Sequence, residues 1–203
     1  MTSLLAPANT LLDSQRLIAA FDHLRNELPL ANEILDTHEP LHVKLQQTHQ
    51  VSEQAVTAWR TALASRWECE VAGRRLYKRI LRQLIGLYGE HAPEVQLLSR
   101  GGAEADSSPS ELLADLRRLG AAFAIGGAPI DTPELQGELQ QCCAALDRAI
   151  ETTRQCETQR RNAVLDHRMA GEVYRRARTA THRKLLAFYS NGLDSSLSEL
   201  FAD

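Results

Sequence analysis

The sequence predicts an all-α protein, and three observations indicate this class. Helix-favouring residues such as Leu, Ala, Arg, Gln and Glu are abundant among the 203 residues, whereas aromatic residues supply only 5%. Prolines and glycines cluster in a few short stretches and leave long segments between them. Within those segments apolar residues return at every seventh position, as in packed helices. We therefore predict an elongated antiparallel helical bundle, or coiled coil, of two short–long helical hairpins.

Residues 1–93 form the first predicted hairpin. Its short helix covers about residues 11–27, with Asp13 or Ser14 near the start. Its long helix covers about residues 37–89 and tolerates Pro40 in the first turn, because a first-turn N–H has no partner within the helix.

Residues 94–108 are rich in glycine, serine and acids and are predicted to be a linker, and residues 109–203 form the second hairpin. Its short helix covers about residues 110–123. Its long helix begins at Pro133 with Thr132 as N-cap and continues to about residue 190. The two hairpins together are expected to pack as one domain.

A weak internal repeat relates the two hairpins. The similar stretches lie 98 to 102 residues apart: 17–21 and 119–123, 84–88 and 185–189, and Ala72-Gly73 and Ala170-Gly171. These spacings predict an internal duplication, with chance similarity between leucine-rich helices as the alternative. Gly73 and Gly171 are also the positions where the long helices are expected to bend if they are not continuous.

Reading the fourth helix in sevens separates lanes of different chemistry. One lane contains only small residues: Cys142, Ala149, Cys156, Ala163, Ala170 and Ala177. A second lane begins with leucines and continues with polar residues: Leu139, Leu146, Thr153, Arg160, His167, Tyr174, Thr181 and Phe188. The second helix has its own small lane at Ala55, Ala62 and Cys69. Small residues let backbones approach closely, so we expect the long helices to pack there, antiparallel. The polar residues predict a seam that is not a dry core.

A third lane is basic, and it has a shorter counterpart on the second helix. The candidate binding residues are Arg154, Arg161, Arg168, Arg175, Arg176 and Arg183 on the fourth helix and Arg74, Arg75, Lys78, Arg79 and Arg82 on the second. The chain carries a net charge of −3 overall, so these faces are locally exceptional. They predict an anion-binding, nucleic-acid-binding or acidic-partner surface, since the guanidinium group suits carboxylates and phosphates. The alternative is a solvated outer face neutralised by acids of the same chain.

Three histidines, His38, His42 and His49, share one side of the second helix. A pair spaced by four can chelate a transition metal, and Glu39 or Glu53 could add a carboxylate. The alternative is a partly exposed polar edge, because Leu45 lies between them on the same lane. A metal-binding helical protein is therefore the third functional hypothesis.

Catalytic signatures are missing from the sequence. It contains no G-x-S-x-G elbow, P-loop, G-x-G-x-x-G or H-E-x-x-H, and no cofactor is expected. Our leading interpretation is a non-enzymatic helical scaffold or interaction module that binds a protein partner or itself. Four cysteines without a C-x-x-C pair and no long apolar run predict a soluble, cytoplasmic protein without a membrane span.

Overall fold

The computed structural model describes residues 7–93, 95, 108–126, 132–189 and 200–201. Over these residues the chain is helical, without strands, which confirms the all-α class. The helices are α1 (Pro7–His23), α2 (Ala31–Tyr88), α3 (Pro109–Gly126) and α4 (Pro133–Phe188). In each half of the chain a short helix precedes a long one. In the described part of the chain no helix has a stretch both apolar and long enough to cross a bilayer.

The contacts divide the chain into two compact units. Unit 1 contains Met1–Val56 and Gln159–Asp203, and unit 2 contains Thr57–Thr158. Each unit therefore has one short helix, the first part of the long helix that follows it, and the last part of the other long helix. This division by contacts differs from the predicted division into residues 1–93, 94–108 and 109–203, which stays a prediction. Of the predicted linker, only residues 95 and 108 are among the described residues.

Within each unit, α2 and α4 run antiparallel, as predicted. In unit 1, Lys184 bonds Glu33, and His167 lies beside Thr48. The residue number on α4 therefore falls as the number on α2 rises. In unit 2 the same order holds, since Thr153 contacts Ala62 and Glu138 pairs with Arg79.

The predicted starts of the first two helices were wrong. Ser14, expected near a helix start, lies inside α1, because the helix begins at Pro7. Proline is well placed there, since its missing N–H would have had no helical partner. Likewise α2 begins at Ala31, so Pro40 lies in the third turn rather than in the first. Burial of Ile34 and Leu35 favours the early start. Because Pro40 has no N–H, the Asp36 carbonyl lacks its hydrogen bond within the helix, and both residues are exposed to solvent.

The predicted starts of the other two helices are confirmed by their caps. At α3 the Ser108 Oγ accepts the Glu111 N–H at 3.3 Å, while Glu111 Oε2 accepts the Ser108 N–H at 2.8 Å. This reciprocal pair is a capping box. At α4 the Thr132 Oγ1 accepts the Leu135 N–H at 3.2 Å. Both arrangements satisfy N–H groups that a helix start leaves without partners.

The long helices continue through both glycines at which bends were expected, Gly73 and Gly171. The helix α2 ends instead at Tyr88. Gly89 follows with φ +86° and donates its N–H to the Ile85 carbonyl at 2.8 Å. A left-handed residue at this position is favoured by glycine, which has no side chain to strain.

Unit 2 has an apolar core between its three helical segments. The buried residues are Leu76, Ile80, Leu84, Val95, Leu112, Leu113, Leu116, Leu119, Leu135, Leu139 and Leu146. Gly73 allows a close approach of α2 to α3. A Cβ at that position would lie 3.3 Å from both Leu112 Cδ2 and Leu116 Cδ1, which is tighter than ordinary packing.

Unit 1 has a smaller apolar core near the ends of its helices. It contains Leu17, Phe21, Ala31, Ile34, Leu35 and Leu185. The C-terminal residues Leu200 and Phe201 pack against this cluster. Phe201 stacks on His182 with ring centroids 4.7 Å apart, and Arg178 donates to the Leu200 carbonyl at 2.8 Å.

Nine pairs of positions 101 residues apart in α2 and α4 are buried at both members. They are Ile34 and Leu135, His38 and Leu139, Leu45 and Leu146, Ser52 and Thr153, Ala62 and Ala163, Glu70 and Gly171, Gly73 and Tyr174, Ile80 and Thr181, and Leu84 and Leu185. Such a match is what the predicted duplication would leave behind. The chemistry at these pairs differs, however. At three of these pairs, unit 2 has the apolar residues or glycine Leu139, Gly73 and Ile80. The corresponding residues of unit 1 are His38, Tyr174 and Thr181.

Candidate functional site

The polar lane of α4 faces α2 and is largely buried. Its buried polar residues, each at most 7% exposed, are Thr153, His167, Tyr174 and Thr181. Their burial agrees with the prediction of a seam that is not a dry core. In the neighbouring small lane only Ala163 is fully buried, and the other members are half-buried. The seam therefore lies on the polar lane, because its larger side chains fill the space between the helices. The small lane borders it.

A buried polar cluster in unit 1 joins α2 to α4. His38 is 0% exposed, and its Nε2 lies 2.8 Å from Thr181 Oγ1. The His38 ring meets the Tyr174 ring edge to face, with centroids 5.3 Å apart. Among the described residues, His38 Nδ1 and the Tyr174 hydroxyl have no hydrogen-bond partner. The described contacts of this cluster are therefore the His38–Thr181 hydrogen bond and the His38–Tyr174 ring contact.

Burial keeps this cluster neutral. Removal from water lowers the pKa of His38 to about 4, because the imidazolium form is poorly solvated there. Burial also raises the pKa of the Tyr174 hydroxyl, Arg178 lowers it by a smaller amount, and Asp13 raises it further. His38 and Tyr174 are therefore uncharged near pH 7. Both are closed off from solvent, which does not suit proton exchange with a substrate.

A second polar cluster in unit 1 contains Thr48, His49 and His167. The Thr48 hydroxyl lies 3.0 Å from the carbonyls of Lys44 and Leu45 and 3.2 Å from His167 Nδ1. Since a hydroxyl has one proton, which the α2 carbonyls attract, Thr48 accepts the Nδ1–H of His167. Burial lowers the pKa of His167, and the nearby His49 ring, 5.2 Å away, lowers it further, whereas Glu53 raises it.

The three candidate metal ligands make three different contacts. His38 reaches Thr181, His42 Nδ1 lies 2.8 Å from Ser14 Oγ, and His49 packs against His167. Across the described residues, no group of three His, Cys, Asp or Glu side chains is placed to hold a metal ion. The metal-binding hypothesis therefore gains no support from the described geometry.

A cavity of about 250 Å³ opens in unit 2 between α3 and α4. Cys143 lines it with its thiol, and Arg117 lines it while donating to Asp147 at 2.7 Å. Burial raises the pKa of the Cys143 thiol, an effect that Arg117 opposes less strongly. A protonated thiol is a poor nucleophile, and burial favours this form of Cys143.

The predicted basic residues differ in their ion pairs and in their exposure. Four of them pair with acids of their own unit: Arg74 with Glu70, Arg79 with Glu138, Arg154 with Glu151, and Arg175 with Glu172. Of the others, Arg75, Lys78, Arg82, Arg161, Arg168, Arg176 and Arg183 are exposed. The described residues place no acid in an ion pair with Arg168, Arg176 or Arg183. Neutralisation by acids of the same chain therefore applies at least to Arg74, Arg79, Arg154 and Arg175.

The sequence reading missed an apolar ridge among these arginines. Leu165, Met169 and Val173 are 56%, 59% and 48% exposed on α4 in unit 1. Leu165 and Met169 lie two residues before and after buried His167, and two residues turn a helix by about 200°. The ridge therefore points away from the seam. Its spacing of four residues was the available signal, but it was obscured because the basic lane runs through the same segment.

Comparisons with known proteins identify no relative. No protein-family model, no curated protein and no solved structure matches the chain.

Proposed function

We propose that this chain is a non-enzymatic scaffold that docks a protein partner through the outward face of α4 in unit 1. The observation that carries the proposal is the apolar ridge of Leu165, Met169 and Val173. Scattered exposed apolar residues are ordinary on a protein surface, whereas a contiguous set is typical of interaction sites. Steps of four residues align the three side chains along one face of the helix.

The surrounding charges support an interaction face. Arg161 and Arg168 lie four residues before and three residues after Leu165, and Arg176 lies three residues after Val173. Residues at these spacings are neighbours on a helix surface. An apolar centre with arginine at its border is the composition favoured in protein interfaces, where arginine is enriched.

Val51 on α2 in the same unit provides a contrast. Its side chain is 54% exposed, as much as the ridge residues. The residues three and four positions away from it are Gln47, Thr48, Gln54 and Ala55, so no other large apolar residue extends it. Val51 is therefore a matched control for a position that is apolar and exposed but isolated.

The buried chemistry agrees with a role without catalysis. Burial shifts the pKa of two histidines and a tyrosine in unit 1 and of two thiols in unit 2. The histidines and the tyrosine are buried, and the thiols are protonated near pH 7. They suit a structural role in setting how the helices meet. A cytoplasmic location is part of the proposal, because all four cysteines are free and a reducing compartment keeps them so.

Site-specific photo-crosslinking tests the proposal. A photoreactive amino acid replaces Met169 in one form of the full chain and Val51 in another, and both are irradiated in native lysate. We expect a crosslinked protein at position 169 that disappears when Leu165→Ser and Val173→Ser are added, and no such product at position 51. Equal products at both positions, products at neither, or nuclease-sensitive products alone would overturn the proposal.

Nucleic-acid or other anion binding is a second candidate function. The observation that favours it is the exposure of Arg168, Arg176 and Arg183 without an ion pair in the described part of the chain. Phosphate contacts make affinity fall steeply with salt, because bound arginines release counterions. Replacing Arg168 and Arg176 by alanine should weaken DNA or RNA binding and reduce its salt slope by about 2, one for each lost phosphate contact. Arg16→Ala, at an exposed position on α1, is the control.

A further inference from the structure

We propose that the partner segment docked on the α4 ridge is an amphipathic helix whose apolar side is bordered by aspartate and glutamate. This inference rests on the proposed function and adds the chemistry of the partner. It is drawn from the length of the ridge, the charges that border it and the poorer fit of the other occupants.

The ridge has the dimensions of one helix crossing. From Leu165 to Val173 the rise is about 12 Å, or slightly more than two turns. Packed helices approach to axial distances of about 8–10 Å and interdigitate rows of side chains spaced by four residues. The ridge is such a row. Met169 at its centre is flexible and adapts to the shape of an incoming side chain.

The border of the ridge selects carboxylates. Arg168 and Arg176 are exposed, and the described residues hold neither in an ion pair. A guanidinium group binds a carboxylate through two parallel hydrogen bonds, so acidic residues beside the apolar side of a partner helix would meet a matched donor. Of the two acids in this stretch, Glu172 is paired with Arg175 at 2.7 Å and Asp166 is exposed, so Arg168 and Arg176 against Asp166 leave the border with a net positive charge.

The two other occupants fit the ridge less well. A second copy of the chain would bring the same arginines against the ridge, and like charges across an interface oppose association. An anionic bilayer would attract the arginines. Three apolar residues, however, offer a bilayer little area to bury. A partner helix with acidic borders satisfies both the apolar and the charged part of the face.

Synthetic helical peptides serve as probes for the full-length protein. The acidic probe carries leucines spaced three and four residues apart with glutamate on both sides. One matched probe replaces glutamate by lysine, and the other keeps glutamate but replaces leucine by serine. Vesicles of phosphatidylcholine with and without phosphatidylserine form a separate arm. Fluorescence anisotropy gives the affinity for each peptide, and co-sedimentation measures vesicle binding.

We expect the acidic probe to bind at least about tenfold more tightly than either matched probe, a difference of one decade in Kd. Met169→Ser and Arg168→Glu should each weaken it by about tenfold or more, whereas Val51→Ser and Arg16→Glu leave it unchanged. The double variant Arg168→Glu/Arg176→Glu should instead prefer the lysine probe. Circular dichroism verifies that each variant keeps its helix content.

Three results would overturn the inference: equal binding of the acidic and lysine probes, an unchanged preference in Arg168→Glu/Arg176→Glu, or binding to anionic vesicles without binding to the acidic probe. The photo-crosslinking experiment separates this failure from that of the proposed function. If position 169 captures a protein while the acidic probe does not bind, docking stands and the partner chemistry is wrong. If position 169 captures nothing, the docking function itself is wrong.

Discussion

His38 and Thr181 lie 143 residues apart in the chain, yet His38 Nε2 and Thr181 Oγ1 are 2.8 Å apart in the interior of unit 1. The positions 101 residues from them, Leu139 and Ile80, are also buried, but in the apolar core of unit 2. Unit 1 therefore has a hydrogen-bonded histidine where unit 2 has only apolar contacts. The directional bond favours one register of α2 and α4 in unit 1.

A double-mutant cycle on this pair should show strong coupling. His38→Leu and Thr181→Val should each lower the free energy of unfolding by about 1–3 kcal/mol, because each leaves a buried polar partner without its bond. The double variant should be close to the original protein, since both polar groups are removed together. Chemical denaturation near pH 7 measures the cycle. Thr179→Val, at an exposed position on α4, should change stability by less than about 0.5 kcal/mol. Additive single effects would contradict the pairing.

Stability should fall as the pH is lowered from about 6.5 to about 4. Burial holds the pKa of His38 at about 4, below its ordinary value of 6.5. In this window the unfolded chain binds a proton on this residue while the folded chain does not, so acidification favours unfolding. Over this range the free energy of unfolding should fall by up to about 3 kcal/mol. Each unit of difference between the pKa of His38 in the folded and in the unfolded chain corresponds to about 1.36 kcal/mol.

Denaturation midpoints across this pH range measure the effect. The variant His38→Leu/Thr181→Val should lose less stability on acidification than the original protein, while His91→Gln, at an exposed position after α2, should follow the original profile. A double variant with an unchanged profile would show that His38 is not the group responsible.

Leucine in place of Thr153 should destabilise the protein, although leucine is the residue preferred in coiled-coil seams. Thr153 Oγ1 lies 2.8 Å from the Ala149 carbonyl in its own helix and 3.2 Å from the Ala62 carbonyl on α2, so the helices are too close for a larger side chain. Thr153→Val should cost about 1 kcal/mol for the lost hydrogen bond. Thr153→Leu should cost more, by about 1–3 kcal/mol, through overpacking. Thermal unfolding ranks the two variants, and a leucine variant more stable than the valine variant would refute this reading of the contact.

Replacing a helix glycine by alanine should change the stability of the protein according to the space around that glycine. A Cβ at Gly137 or Gly171 would meet no atom within 4 Å outside its own helix, so each alanine should stabilise the protein by about 0.5–1 kcal/mol through helix propensity. At Gly73 the added Cβ would press on Leu112 and Leu116 at 3.3 Å. Gly73→Ala should therefore gain less than the other two or lose stability. Equal gains at all three positions, measured by chemical denaturation, would contradict the close approach of α3.

The helical class, the order of short and long helices, and the starts of α3 and α4 follow from the amino-acid sequence alone. These features are local. They depend on residue propensities and on caps such as Ser108 with Glu111 and Thr132, whose partners lie within one turn. The sequence also placed the small and polar lanes on adjacent faces of α4, because the helical period alone decides which residues share a face.

Which face of α4 packs against α2, and what the remaining faces contact, depends on the packing of distant segments. The early start of α2 depends on burying Ile34 and Leu35, a gain that exceeds the local cost of Pro40 inside the helix. His38 could be read as a metal ligand until its partner was found 143 residues away. Leu165, Met169 and Val173 share a helix face in the sequence, but only the packing of α4 against α2 leaves that face exposed. Burial and pairing depend on segments distant in the chain, so a local pattern could not supply them.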